Sequence, residues 1–347
     1  MKKTMLLPAV ALLMLGACSD KDDTPVRPTP NDPVQTVPSV ADHVTLNAPA
    51  QSGVTAEDGL YRVSYANGQE ISYTFATDPT EGYVAVVKKV GGTASDVVIP
   101  ASVSYNDLTL KVYSISLYAE GGAPTVTSLT IPNTAVAMTS GTAYAAATAT
   151  HLRTQMDYLP GLQKVELEDG FNGFCSINGA IYTADLTTLV SVPRSYPGTF
   201  TVAEATTKID ERALYYCSKI DVLTIPAGVT EIGDEAVVFN DNLLLINCQP
   251  TTAPIATSDV FGTYAHNGVL RVPAGSEANY KFAKPELTRP VEPVEPDEEE
   301  ATPEEMEAYY TALAAYEEAK AEYDEALEYW NNHAGWADFK NIEGVNF

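Results

Sequence analysis

Hydrophobic and polar positions fall into a phrase that the chain says more than once. The stretch LTIPAGVTEIGDEAV (Leu223 to Val237) aligns on FTVAEATTKIDERAL (Phe200 to Leu214), with Ile209 on Ile232, Ala213 on Ala236 and Val202 on Ile225, each 23 residues apart. The period runs on from Ile225 to Cys248 and, with one residue more, to Val272. Its kernel is an apolar residue, two variable ones, an apolar, a variable and an apolar, often followed by proline: VTSLTIP at 126, LQKVEL at 162, IDVLTIP at 220, LLLINC at 243. Alternation at the last positions predicts a strand with one face buried, closed by a proline that cannot donate to a ladder. One copy cannot bury its apolar row, so copies must stack, strand on strand, into a parallel sheet. The second half-phrase, GVTEIGDEAV, supplies the other wall through Val229, Ile232 and Ala236. The expected fold is a curved, mostly β ladder.

The combination of LTIP, VTEIGDEA and a period near 23 residues resembles the BspA-like (Treponema pallidum type) leucine-rich repeats, which implies a β solenoid. Asp58 to Ser116 is similar to that family's opening strands, and Phe174 to Pro193 to its hairpin insertion, with Asn178-Gly179 as the turn signal. Gly268 to Ala283 and Trp336 to Ile342 resemble two halves of its closing cap, and the likeness covers most of residues 58–283. Two stretches depart from the pattern. After Pro132 the kernel is missing, and Ile131 to Leu167 spans 36 residues; further on, the cap is split by a long insertion. The expected organisation is a β-rich N-terminal segment at 41–116, repeats at 117–283, an acidic Pro-rich linker at 284–302, an amphipathic helix at 303–332 and the end of the cap at 333–347.

The first forty residues bear on location. Lys2 and Lys3, an apolar run from Met5 to Leu15 and then Leu15-Gly16-Ala17-Cys18 form the pattern of a secretory signal peptide over 1–17, too short to span a bilayer. Small residues before a cysteine resemble the bacterial lipoprotein lipobox, which implies acylation of Cys18. Residues 18–40, rich in Asp, Pro and Thr, are expected to be a disordered, semi-rigid tether reaching several tens of Å at about 3 Å per residue. Their acidic start, SDKDD, resembles the export tag of Bacteroides-type surface lipoproteins, which implies an outer-membrane, lipid-anchored protein facing the medium.

Charge narrows the partners. The chain carries a formal −26, and loss of residues 1–17 leaves 18 Lys and Arg against 46 Asp and Glu, or −28. Such a surface repels nucleic acid and anionic lipid, so contact with the membrane is expected only through the anchor. Half of the excess lies in one place: Glu286 to Glu328 holds sixteen acids against Arg289 and Lys320. There the proline-spaced linker is expected to be extended and solvated. Thr302-Pro303-Glu304-Glu305 then supplies an N-cap, a first-turn proline and a capping-box glutamate. Met306, Tyr309, Leu313, Tyr316, Lys320, Tyr323, Leu327 and Trp330 follow at alternating spacings of three and four, the seam of a helix about 40 Å long. That seam either packs on the ladder and shields its last strand, or docks a partner helix.

Catalytic chemistry is not expected. The histidines His43, His151, His266 and His333 lie far apart, and HExxH, GxSxG, GxxxxGK and EF-hand loops are all missing from the sequence. Cys175, Cys217 and Cys248 form no zinc cluster and allow at most one bridge; they read as small buried hydrophobes. No cofactor or metal is expected. What remains is the variable residue of each kernel strand, Thr130, Glu166, Thr201, Thr224, Asn247 and Arg271, expected side by side on an exposed sheet face as a ligand surface. The chain thus reads as a cell-surface module binding an extracellular protein or polysaccharide, and the BspA-like resemblance implies attachment. The alternative is an accessory subunit of an outer-membrane assembly, docking through the inserted helix. Replacing Cys18 by Ser is expected to abolish incorporation of radiolabelled palmitate and to move the protein from the membrane to the soluble fraction; a variant that stays lipid-labelled would refute acylation at this residue.

Overall fold

In the computed structural model of the chain, residues 38–117, 125–135, 137–140, 143–262, 268–297 and 301–347 are described, with backbone alone for 137–140 and 143–145. Cys18 and the sequence up to residue 37, which includes most of the expected tether, lie outside them, as does His266. At the N-terminal end, β1 (Gln51–Glu57), β2 (Leu60–Tyr65), β3 (Gln69–Asp78) and β4 (Gly82–Gly92) form an antiparallel meander. It continues into the irregular part of the chain, which holds β5 (Asp96–Val98), β6 (Ser102–Tyr105), β7 (Leu108–Ile115), β8 (Ser128–Ile131), β9 (Ala137–Ser140), β10 (Ala143–Ala146), α1 (Ala149–Asp157) and β11 (Lys164–Leu167). The stretch that lacks the kernel thus holds a hairpin and a helix. That helix is capped by Thr148, whose hydroxyl accepts from the His151 amide. Tight hairpins follow turn chemistry: Asp58-Gly59 and Asn178-Gly179 place both central residues at positive φ, 53° and 76°, 50° and 78°. That is the primed turn that matches strand twist.

Two ladders follow, the first parallel throughout and the second parallel only from its third strand on. One joins β15 (Gly198–Thr201), β17 (Ile220–Ile225), β19 (Leu245–Cys248), β21 (Val269–Pro273) and β22 (Asn341–Val345). Its register sets Phe200, Leu223, Ile246, Leu270 and Ile342 in one row. The other holds β12 (Phe174–Ile177), β13 (Ala180–Thr183), β14 (Thr188–Ser191), β16 (Lys208–Ile209), β18 (Glu231–Ile232) and β20 (Ile255–Ala256), with Leu189, Ile209, Ile232 and Ala256 in a row. The core lies between these rows, and Phe200, Leu223, Ile246, Leu270, Ile209 and Ala256 are all fully buried. Neighbouring strands of the first ladder stand one period apart, as Thr224 and Asn247 do at 23 residues. The last step is far longer, 72 residues from Arg271 to Glu343. What exceeds one period there is the linker and α2 (Pro303–His333) together. An insertion has been made between two strands that remain hydrogen-bonded neighbours.

Closure of the ladder falls to β22 and to Trp336. The indole is fully buried, donates to the Pro254 carbonyl at 2.7 Å, and packs 4.7 Å from the Phe261 ring and 5.2 Å from that of Tyr280. The expectation that the inserted helix shields the last strand is therefore overturned, because β22 covers β21 and α2 buries none of its residues. At its C-terminal end His333 stacks on Phe282, and the helix also contacts β20 beside Trp336. Truncating Trp336 to Ala is expected to destabilise the fold by about 3–5 kcal/mol. Tyr316→Ala, on the inserted helix, should leave the main denaturation midpoint within about 1 kcal/mol; equal losses in urea titrations would contradict this division of roles.

Candidate functional site

The kernel row forms in register. Thr130 pairs with Glu166, and Thr201, Thr224, Asn247 and Arg271 stand on successive strands, ending at Glu343. It is not exposed. Thr130, Thr201 and Asn247 retain 7% of their surface, Arg271 4% and Thr224 1%, while Glu166 is half-buried. Strands about 4.8 Å apart set short side chains shoulder to shoulder, and they bond one another. Asn247 Nδ2 donates to Thr224 Oγ1 at 3.3 Å, Arg271 Nε to Glu343 Oε2 at 3.3 Å, and Thr130 Oγ1 to Glu166 Oε2 at 3.4 Å. Placement on the variable strand position was legible in the sequence; enclosure was not.

The helix seam has a partner already, in its own chain. Met306, Tyr309, Leu313, Tyr316, Tyr323, Leu327 and Trp330 are each half-buried, and so are Pro285, Leu287, Pro290, Pro293 and Pro296 of the linker. Lys284 Nζ lies 5.3 Å over the Trp330 ring. At the other end, partial desolvation and the carboxylates of Glu295 and Glu292 raise the Tyr309 phenol above its ordinary pKa. The two segments therefore run antiparallel. From residue 284 to 292–295 a polyproline II segment covers roughly 25–34 Å at about 3.1 Å per residue. Tyr309 to Trp330 on the helix covers roughly 30 Å at about 1.5 Å per residue, so the lengths match. Proline recurs every third residue from 290 to 296, the turn of that extended helix, and one ridge faces the seam. The linker's charged residues stay exposed while its half-buried prolines lie toward the seam, and a partner helix would have to displace them. At the root, Phe282, Ala283, Pro285, Glu322, Glu325, Ala326, Tyr329 and Trp330 line a shallow cleft in which Trp330 Nε1 is buried without a hydrogen-bond partner.

A third feature escaped the sequence reading. On the turns between the ladders, Tyr216 and Phe239 are exposed by 43% and 50%, and their rings stack at 4.5 Å and 20°. Tyr215 meets both edge-on, at 4.8 and 5.5 Å. Arg194 lies over Tyr216 and Tyr215, at 5.4 and 5.9 Å, and Arg212 lies 5.1 Å over Tyr215. Each guanidinium is paired, Arg194 with Asp157 at 2.8 Å and Arg212 with Glu235. The bond to Glu235 holds Arg212 protonated even more firmly than usual. Position decides why the rings are out. Tyr216 and Phe239 are one period apart, at φ 60° and 59°, and the next period brings Gly262 at φ 52°. The repeat thus turns through the left-handed region at this position. Glycine takes it without strain, whereas a bulky side chain there is an outlier costing on the order of 1–2 kcal/mol. Two aromatics thus hold a strained conformation with their rings toward solvent. The one-period alignment of Tyr216 on Phe239 was the available signal.

Among the described residues no cluster of three or more His, Cys, Asp or Glu is placed to hold a metal ion, and no helix is long and apolar enough to cross a membrane. Cys175, Cys217 and Cys248 are free thiols; burial raises Cys175 to about 11, Cys248 to about 12 and Cys217 further still.

No family model and no curated protein matches the chain. Solved structures similar to it include a leucine-rich repeat protein from Eubacterium ventriosum, 19% identical with a TM-score of 0.27, the match covering 43% of this chain and 42% of that one. A leucine rich cell surface protein from Faecalibacterium prausnitzii is 10% identical at TM-score 0.26, with 85% and 96% covered. A leucine-rich repeat protein from Bacteroides ovatus is 15% identical at TM-score 0.26, with 59% and 64% covered. The chain thus spans less than half of the first and just under two thirds of the third. At these TM-scores the likenesses carry no argument, and it is the chain's own paired strands that define a β-rich repeat fold.

If strain and ring stacking roughly cancel, Tyr216→Gly and Phe239→Gly should each change stability by no more than about 1 kcal/mol, since a stacked pair contributes only ~0.5–1.5 kcal/mol. Chemical denaturation of the two variants measures this, and a loss of several kcal/mol in either would make the rings structural.

Proposed function

We propose that this protein is a binding module of the bacterial cell surface, an outer-membrane lipoprotein held through Cys18, whose leucine-rich repeat solenoid binds an extracellular protein or polysaccharide. One observation carries the reading: the exposed Tyr216 and Phe239 rings, backed by the half-buried Tyr215 and flanked by Arg194 and Arg212, on turns whose conformation favours glycine. Tyrosine and arginine dominate binding hot spots because they offer large apolar area with a polar tip and little conformational entropy to lose. The enclosed kernel row supports the edge of the repeat, rather than the sheet face, as the contact surface. The pinned start of the folded part fits a tethered module as well. Pro38 accepts from the Glu204 amide at 2.7 Å, and the Asp42 amide donates to Ser176 at 2.8 Å.

A second reading, docking to an assembly through the inserted helix, is favoured by the cleft at the helix root with its unpartnered Trp330 Nε1. Immobilised full chain presented with host matrix proteins and polysaccharides should retain at least one binder whose affinity falls tenfold or more in the Tyr216→Gly, Phe239→Gly double variant. Binders that ignore this change but vanish when Glu286 to His333 are deleted would transfer the function to the helix.

A further inference from the structure

Resting on the reading of the turn edge as a binding surface, we infer that its ligand is a neutral polysaccharide, gripped along its length rather than at its end. Four observations point there. Both cations at the edge are already matched by carboxylates, Arg194 by Asp157 and Arg212 by Glu235, so the site has no positive excess with which to select an anion. The exposed apolar surface is small: on these two turns only Tyr216 and Phe239 expose large hydrophobic side chains, and Glu211, Arg212, Asp234 and Ser218 border them. A protein partner needs a desolvated core within about 800 Å² per side, whereas one or two rings suffice for the C–H face of a sugar. A guanidinium beside a carboxylate presents donors and acceptors side by side, the pattern that two adjacent hydroxyls complement. Finally, the stack is open. Arg194 lies over Tyr216, and among the described residues the stack ends at Phe239, because the next equivalent position is Gly262 and carries no side chain. No wall closes around the rings among the described residues, as a site for a chain terminus would require.

The test is native electrophoresis of the full chain through gels containing a neutral β-glucan, α-mannan or galactan, against alginate and heparin as anionic probes. At least one neutral polymer should retard the protein, equally at 50 and 500 mM salt, since an uncharged ligand is not screened. Retardation should fall at least tenfold in Tyr216→Gly, Phe239→Gly, and survive in Phe239→Tyr, which keeps a ring. Retardation by alginate or heparin alone, weakening with salt, would overturn the inference. So would the absence of retardation by every neutral polymer; if the double variant then loses a protein binder, the edge still binds but its ligand is protein. Binding of every kind that is indifferent to the double variant would overturn both the inference and the edge reading beneath it.

Discussion

Everything in this molecule depends on one constraint, that each kernel strand must hydrogen-bond the strand one period away. Because a single copy exposes its apolar row, Phe200, Leu223, Ile246 and Leu270 become core only when strands align one period apart. The same register fixes what lies off the sheet. It pairs Lys208 with Glu231 at 2.6 Å and sets Arg212 against Glu235, Tyr216 against Phe239 and Thr224 against Asn247, every pair separated by a single period. A ladder therefore copies any side chain repeated in sequence into a contact in space. This is how two tyrosines, a phenylalanine and two arginines became a surface without a pocket being built for them.

Much of this was legible before any coordinates. The apolar kernel announces its strand and its inward residues, Asn178-Gly179 its hairpin, and Thr302 with Glu305 the start of α2, where the hydroxyl accepts from the Glu305 amide and the carboxylate from the Thr302 amide. What stayed hidden are properties that belong to pairs of segments. Thr224 reads as a good solvent-facing strand residue, yet neighbours on both sides leave it 1% exposed. Residues 284–297 read as solvated because composition counts prolines and acids, not the ridge they make at every third residue. Tyr216 and Phe239 drew no notice because periodicity reports which residues recur but not the sign of φ, and it is a left-handed backbone that throws them outward. Gly262, in the same column, was the one letter that gave this away.

The insertion raises a different physical question, since a long helix with no buried residue and a proline-rich segment are each weak alone. Helices without tertiary packing are marginal in water, because most of their stability comes from an apolar face laid on something else. A polyproline segment has no internal hydrogen bonds but is already ordered, so little conformational entropy is lost when it docks. Each supplies what the other lacks. The seam of tyrosines, Leu313, Leu327 and Trp330 gains a cover without reaching the ladder, and the prolines gain a groove. The described acids of the arm are all left on the outside, where their charge disfavours collapse onto an already acidic body. At its root the arm is held by aromatic contacts, with Phe282 stacked on His333 at 5.0 Å and Tyr329 4.6 Å from the same imidazole. Because Leu270 and Ile342 are adjacent in the sheet, the arm leaves and re-enters the repeats within one strand spacing. Its length and chemistry are therefore free to change without disturbing the register on which the ladder depends.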